Sequence, residues 1–254
     1  MNFLKLFKHR GLIAAHRGAR SISPENTLTA LKKSLCNCDF IEVDVQLSSD
    51  FIPIIMHDDT LIRTTNVSEI DRFKSREPYM VHDFSFDELR TLDYGSWFDN
   101  KYEPLLSLID TLDFVSKNGV YINLEIKDMS EYFSDETVIS IVLKEIVDKK
   151  LQKQVLISSF RHEYLPMIKE VCKSIATAAL VEDEHPDDVV EYLKSLKVDA
   201  YNFSNKLVDK KIVIKLIESG FYVNVYTVNE QSRAEELFNM GINGVFSDSL
   251  KKVV

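Results

Sequence analysis

Short apolar segments alternate with amphipathic segments along most of the chain, and this alternation restricts the folds that the chain can adopt. We predict eight strands, at residues 12–15, 40–45, 121–126, 155–159, 176–181, 200–203, 222–227 and 244–247. Most of the segments between them have the periodicity of an amphipathic helix. Because strands that alternate with helices form parallel sheets, and because eight such units fit a chain of 254 residues, we predict an α/β fold, a (β/α)8 TIM barrel.

One apolar segment interrupts this alternation. Residues 53–57 follow the second predicted strand after only seven residues, which is too short for a parallel crossover but long enough for a hairpin. We therefore predict an antiparallel extension beside strand two, and then an insertion between strands two and three at about residues 58–107. We expect residues 68–97 to lie over the mouth of the barrel, and residues 2–8 to cover its side next to the eighth strand.

The composition excludes some classes of protein. A net charge of −9 and an isoelectric point near 5.2 make a broad nucleic-acid surface unexpected. No Gly-rich or Pro-rich linker divides the chain, so we predict one domain over residues 1–254. No segment has the pattern of a membrane span or a signal peptide, so we expect a cytoplasmic protein without stable membrane association. The oligomeric state is not indicated.

Two histidines stand at the ends of apolar strands. His16 and Arg17 directly follow the first strand, and His57 ends the segment 53–57. An arginine can bind two phosphate oxygens through its planar guanidinium, and a histidine can transfer a proton near neutral pH. Together, these residue types predict an acid–base site for a phosphate ester.

Three acids occupy strand positions at which an isolated negative charge would be costly. Glu42 and Asp44 lie two residues apart on the second strand and so point to one face, and Glu125 and Lys127 repeat this spacing on the third. Any one of these acids alone would be interpreted as a salt-bridge partner or a helix cap. Together they predict a site for one divalent cation, Mg²⁺ or Ca²⁺, because both ions prefer oxygen ligands.

The sequence resembles the glycerophosphodiester phosphodiesterase family in an ordered set of short motifs. They include His16-Arg17-Gly18, Pro24-Glu25-Asn26-Thr27, Glu42-Val43-Asp44-Val45, His57-Asp58, Leu124-Glu125-Ile126-Lys127 and Tyr226-Thr227-Val228-Asn229. The resemblance extends over about residues 12–249, although Glu25-Asn26-Thr27 alone would also be a common signal for the start of a helix. Tyr226 stands where the family usually has tryptophan, which leaves the preferred head group open.

The resemblance implies hydrolysis of a glycerophosphodiester to sn-glycerol 3-phosphate and an alcohol. In this scheme Glu42, Asp44 and Glu125 hold the cation, which binds a phosphate oxygen and a glycerol hydroxyl. His16 and His57 are the acid–base pair, and the sequence does not decide which of them is the base in the first step. A cyclic phosphate forms first, and water then opens it.

Five further residues are predicted to contact the substrate. Arg17 and Lys127 are expected to hold phosphate oxygens. Trp97, Phe160 and Tyr226 are expected to form an apolar wall against the glycerol carbons or the head group, although ordinary core packing would also explain these three aromatic residues. The implied partner is therefore a small glycerophosphodiester.

Two other functions are compatible with the same residues. A lysophospholipase D or a phospholipase-C-like enzyme acting on lipids would need an apolar approach to the mouth, which residues 68–97 would have to provide. The acids interspersed in that segment favour soluble substrates. A non-catalytic binding module would be expected to have lost a histidine or an acid from the site, and none is missing.

Overall fold

The computed structural model describes residues 2–9 and 11–250, and its central feature is one closed barrel. The barrel strands are β1 (Leu12–Ala15), β2 (Phe40–Leu47), β4 (Tyr121–Ile126), β5 (Val155–Ser159), β6 (Ala176–Val181), β7 (Ala200–Ser204), β8 (Tyr222–Tyr226) and β9 (Gly244–Ser247); a further strand, β3 (Pro53–Ile55), lies outside it. All neighbouring barrel strands are parallel, and β1 pairs with both β2 and β9. The (β/α)8 TIM barrel predicted from the sequence is therefore confirmed.

Amphipathic helices connect the barrel strands. They are α2 (Leu28–Ser34), α5 (Leu108–Asn118), α6 (Asp135–Asp148), α7 (Tyr164–Val171), α8 (Val189–Ser195), α9 (Lys210–Glu218) and α10 (Gln231–Met240). In α6 the buried residues recur every three or four positions, as in Val138, Val142 and Ile146, so one face packs against the strands. Ser134 begins this helix by accepting a hydrogen bond from the backbone N–H of Thr137.

The insertion after the second barrel strand forms a small core of its own. As predicted, β3 pairs with β2 in a hairpin, in which Val45 is opposite Ile55. The insertion has short helices, α3 (Phe86–Leu89) and α4 (Ser96–Asp99), and its buried Phe73 and Phe84 pack together with β3. None of the described residues 68–97 lines the cavity at the barrel mouth, but Tyr94 lines a small cavity with His57 and Glu25, and the cover of the mouth by this segment stays a prediction.

The N-terminal segment closes the bottom of the barrel. Helix α1 (Phe3–Leu6) places Phe3 5.2 Å from Phe40, measured between ring centroids, and Phe7 stacks on Tyr222 at 4.9 Å. These partners stand at the starts of their strands, at the end opposite to the predicted site. The segment therefore covers this end rather than the side next to the eighth strand, because its two phenylalanines fill the apolar space between the strand starts.

Replacing Phe7 by alanine is expected to lower the free energy of unfolding by about 3–5 kcal/mol, because it leaves a cavity in this lower core. Tyr102→Ala is the control, because Tyr102 is 61% exposed. This replacement should lower the free energy of unfolding by less than about 0.5 kcal/mol. Urea unfolding followed by circular dichroism measures both values. Equal losses in the two variants would contradict the role assigned to the N-terminal segment.

Candidate active site

One cavity at the C-terminal ends of the barrel strands contains most of the predicted site residues. Its volume is about 220 Å³, and it is lined by His16, Arg17, Arg20, Glu42, His57, Asn123, Glu125, Phe160, Leu180, Glu182, Tyr226, Thr227 and Phe246. The C-terminal face of such a barrel is where side chains from separate strands converge. Residues far apart in the sequence therefore meet in this cavity.

Three acids form one compact cluster. Glu42 and Asp44 on β2 and Glu125 on β4 each place a carboxylate oxygen within 4.8 Å of those of the other two. Burial and then the charges of Asp44 and Glu125 raise the pKa of Glu42 well above its usual range. One oxygen of Glu42 accepts from the backbone N–H of Arg17 at 2.7 Å, and Oε1 is buried with no hydrogen-bond partner among the described residues. Such a set of oxygens fits a hard divalent cation.

The negative charge of Asp44 is compensated by the residues around it. Burial would raise its pKa, but the charges of His57, Lys127 and Arg17 lower it. The side-chain amide of Asn26 also donates to Asp44 Oδ2 at 2.8 Å. Asp44 therefore remains ionised within the cluster.

Lys127 contacts Glu125 and Asp44 and does not line the cavity. Its ammonium donates to Glu125 at 2.8 Å and lies 3.9 Å from Asp44, and it is not among the residues that line the cavity. Its predicted contact with phosphate stays a prediction; in this structure the two carboxylates hold the ammonium.

Each of the two histidines is held by an aspartate. His16 Nδ1 lies 2.7 Å from Asp248 Oδ1, and His57 Nδ1 lies 2.7 Å from Asp58 Oδ1. A carboxylate accepts, so each Nδ1–H is the donor and each Nε2 is left for other contacts. His16 Nε2 is 3.9 Å from Glu42. No role is predicted for Asp248 from the sequence, because its partner His16 lies 232 positions away.

Glu25 is almost completely buried and contacts three arginines. Its carboxylate oxygens lie 2.8 Å from Arg17, 3.2 Å from Arg20 and 2.7 Å from Arg63. Burial would raise the pKa of Glu25, but hydrogen bonds and charges from the three guanidinium groups lower it. The acid therefore stays charged and fixes the positions of the arginines.

Through these arginines, Glu25 is connected to both histidine–aspartate pairs. Arg63 donates to both oxygens of Asp58, at 2.6 and 2.8 Å. Arg20 lies 3.5 Å from Asp248. One buried carboxylate thus holds a cation against each aspartate.

The backbone around Arg17 is in the left-handed region, which turns the chain sharply after β1. Arg17 has φ +52° and Gly18 has φ +76°. A Cβ on Gly18 would lie 2.7 Å from the Cβ of Ala30, so only glycine fits here. Thr27 accepts from the N–H of Ala30 and begins α2, so Glu25-Asn26-Thr27 is both a helix start and part of the site.

The three predicted aromatic residues have different positions. Phe160 and Tyr226 line the cavity. Trp97 does not; its indole N–H donates to the carbonyl of Tyr94, and its ring packs edge-on against Phe98. Substrate contact by Trp97 stays a prediction; in this structure the insertion holds the side chain outside the cavity.

Comparison with known proteins identifies the family of this chain. A model of the glycerophosphoryl diester phosphodiesterase family matches residues 16–252. The chain belongs to this family. A glycerophosphodiester phosphodiesterase of Bacillus altitudinis is 29% identical over 243 residues, which cover 93% of this chain and 94% of that protein.

Solved structures agree with the family assignment. A phosphodiesterase of Oleispira antarctica, in complex with the product sn-glycerol 3-phosphate, is 30% identical, with a TM-score of 0.84 over 95% of this chain and 94% of that one. A structure from Silicibacter pomeroyi, 20% identical with a TM-score of 0.83 over 96% and 91% of the two chains, shows the same fold. The enzyme class predicted from the sequence, a glycerophosphodiester phosphodiesterase, is confirmed. No helix in the described part of the chain is long and apolar enough to cross a membrane.

Glu25→Gln is expected to lower kcat/KM for a glycerophosphodiester by roughly 10- to 100-fold, because partners that orient catalytic groups have effects of this size. The matched control is Glu236→Gln, which removes a carboxylate from Arg233 on an exposed face of α10. Circular dichroism tests whether both variants fold. An unchanged kcat/KM in Glu25→Gln would contradict the role of Glu25.

Asp248→Asn is expected to reduce stability in a pH-dependent manner. Burial alone would raise the pKa of Asp248, but His16, Asn229 and Arg20 lower it to about 2. A carboxyl with a lowered pKa stabilises the folded state above its unfolded pKa of about 3.9, and this stabilisation is lost as the pH falls toward the folded value. We expect the variant to be about 1–2 kcal/mol less stable at pH 6.

The measurement is urea unfolding of both proteins at several pH values between 6 and 3. The difference in the free energy of unfolding should decrease below a pH of about 4. A difference that stays constant over this range would contradict the ion pair between Asp248 and His16.

Proposed function

We propose that this protein hydrolyses soluble glycerophosphodiesters to sn-glycerol 3-phosphate and an alcohol, using one divalent cation and two histidines. The observation that carries the proposal is the cavity in which two histidine–aspartate pairs stand beside a cluster of three acids. The relative from Oleispira antarctica, whose structure contains sn-glycerol 3-phosphate, supports the choice of product.

Glu42, Asp44 and Glu125 would hold the cation. The unpartnered oxygen of Glu42 and the repulsion among the three acids support this assignment. When bound, a divalent cation supplies positive charge that lowers the pKa of a hydroxyl and stabilises negative charge on phosphate. Mg²⁺ and Ca²⁺ both fit this donor set.

Arg17 and Arg20 are the cations that face the phosphate. Both line the cavity. The buried Nε of Arg17 lies 3.7 Å from Asp44, and Glu25 holds the guanidinium groups of Arg17 and Arg20 at 2.8 and 3.2 Å. Guanidinium groups fixed in this way can donate to non-bridging phosphate oxygens. Arg20 is thus a further candidate for phosphate contact, beside Arg17 and the predicted Lys127.

His16 and His57 transfer the protons. Nδ1 of each ring is held by an aspartate, so Nε2 is the atom that exchanges a proton with the substrate. One histidine takes the proton of the glycerol 2-hydroxyl as its oxygen attacks phosphorus, and the other protonates the departing alcohol. The resulting cyclic phosphate is opened by water with the two roles exchanged.

A lipid substrate is not favoured by the structure. The apolar approach that a lysophospholipase would need was expected from residues 68–97. Phe73, Tyr79 and Phe84 of this segment are buried in the insertion core. They are therefore not available to an acyl chain at the mouth.

The test is release of sn-glycerol 3-phosphate from glycerophosphoglycerol, with Mg²⁺, with Ca²⁺ and with EDTA. We expect cation-dependent release that falls by roughly 10²- to 10⁴-fold in His16→Ala and in His57→Ala. His82→Ala is the matched control, because this ring stacks on Tyr132 outside the cavity. Activity that is unaffected by EDTA, or that persists in both site variants, would contradict the mechanism.

A further inference from the structure

A groove with a volume of about 660 Å³ lies between helices α2 and α5. The chain segment 104–106, which leads into α5, forms a third side, and Arg90 at the end of α3 stands at its edge. The groove shares no lining residue with the cavity at the barrel mouth. Its volume is within the range of pockets that bind small molecules, about 300–1,000 Å³. It is therefore a separate pocket, large enough for a small ligand.

The floor of the groove is apolar and narrow. Leu105, Leu106 and Phe114 line it, although they are only 9%, 4% and 8% exposed. Leu28 and Leu35 line it from α2. A ligand that touches side chains as deeply placed as these must be thin. One hydrocarbon chain meets this condition, whereas an α-helix with its side chains is about 10 Å across.

Two lysines at the edge of the groove have no ionic partner. Lys32 on α2 and Lys117 on α5 line it, and neither side chain forms an ion pair or a hydrogen bond with any described residue. The third cation of the edge, Arg90, lies 3.7 Å from Asp87 in an exposed pair. Such a pair is weak and easily displaced. All three cations are therefore available to an anionic group in the groove.

The two acids at the same edge are already engaged by the protein. Asp113 pairs with Lys149. Asp110 accepts a hydrogen bond from the hydroxyl of Ser107 at 2.6 Å and lies in the first turn of α5, where the helix dipole favours a negative charge. The charge left uncompensated at the groove is therefore positive, in a chain whose net charge is −9.

We infer that this groove binds a long-chain carboxylate. The hydrocarbon chain lies along the leucines and Phe114, because removing apolar surface from water favours its burial there. The carboxylate is held by Lys32 and Lys117, which as charged donors bind it in preference to a neutral head group.

The choice of a carboxylate among anionic amphiphiles rests on the proposed function. A glycerophosphodiester has two free hydroxyls on its glycerol, so a glycerophospholipid yields it when water cleaves both of its acyl ester bonds. Each cleavage releases one long-chain carboxylate. The class of reaction that supplies the proposed substrate, ester hydrolysis, therefore also supplies this ligand.

The experiment is a calorimetric titration of the wild-type protein with dodecanoate below its micelle concentration. Octanoate and dodecyltrimethylammonium are titrated for comparison, because one has a shorter chain and the other has the opposite charge. We expect one dodecanoate per chain, bound at least tenfold more tightly than octanoate, since each buried CH₂ contributes roughly two- to fourfold. Dodecyltrimethylammonium should bind more weakly, although the net charge of the protein favours it.

Two variants locate the site. Replacing both Lys32 and Lys117 by glutamine is expected to weaken dodecanoate binding by roughly three- to tenfold, the size of two exposed charge contacts. The matched control replaces Lys210 and Lys211 by glutamine, which removes the same charge from an exposed part of α9 that does not line the groove. Its affinity should be within about twofold of the wild-type value. Circular dichroism tests whether both variants fold.

Several outcomes would overturn this assignment. They are the absence of saturable dodecanoate binding, binding of dodecyltrimethylammonium that is as tight, and equal losses in the two lysine variants. Displacement of dodecanoate by sn-glycerol 3-phosphate would place it in the cavity at the barrel mouth instead. A dimer in sedimentation experiments that the Lys32 and Lys117 replacements dissociate would show that a second copy of the chain covers the groove.

The binding measurement is independent of the proposed hydrolysis, because no substrate is present. If dodecanoate binds as expected but no glycerophosphodiester is hydrolysed, the proposed function fails and the ligand site stands. If hydrolysis is observed and dodecanoate does not bind, only the ligand site fails.

Discussion

The close approach of three carboxylates in one wall of the barrel, two of them buried, is the constraint on which the rest of the site depends. Glu42 and Asp44 belong to a strand that is buried along its whole length, and Glu125 stands opposite Asp44 on the next strand. Water cannot compensate such charges, so the protein must. Lys127 and Asn26 compensate part of the negative charge, and an oxygen of Glu42 has no partner among the described residues. The negative charge that remains uncompensated is the physical reason for the proposal of a divalent cation here.

The two histidines proposed as the acid–base pair are held beside the same wall. Two imidazoles beside an acid cluster need fixed orientations, and each obtains one from an aspartate at its Nδ1. Glu25 in turn holds Arg20 and Arg63 close to those aspartates, and it also holds Arg17 at the edge of the cavity. The histidines therefore belong to one connected network of charges, in which removing one member leaves another buried charge unpaired.

The barrel and the acid cluster could be predicted from the sequence, because each depends on local periodicity. Strand–helix alternation fixes the topology, and acids two residues apart share a face of a strand. The partners of the histidines depend on long-range contacts: His16 meets Asp248 across 232 positions. The substrate contacts predicted for Lys127 and Trp97 stay predictions: Lys127 turns toward Glu125 and Trp97 toward Tyr94, and a local sequence pattern does not determine such orientations. No local sequence pattern indicated a role for Arg20, because an arginine in a loop is usually exposed.

The measurement that tests the central claim most directly is a calorimetric titration of the EDTA-treated protein with Mg²⁺ and with Ca²⁺. The account predicts binding of one cation per chain, with loss of that binding in Glu42→Ala. Glu235→Ala, which removes an acid from helix α10 outside the cavity, should bind the cation as the wild-type protein does. Absence of binding in the wild-type protein, or unchanged binding in Glu42→Ala, would contradict the account.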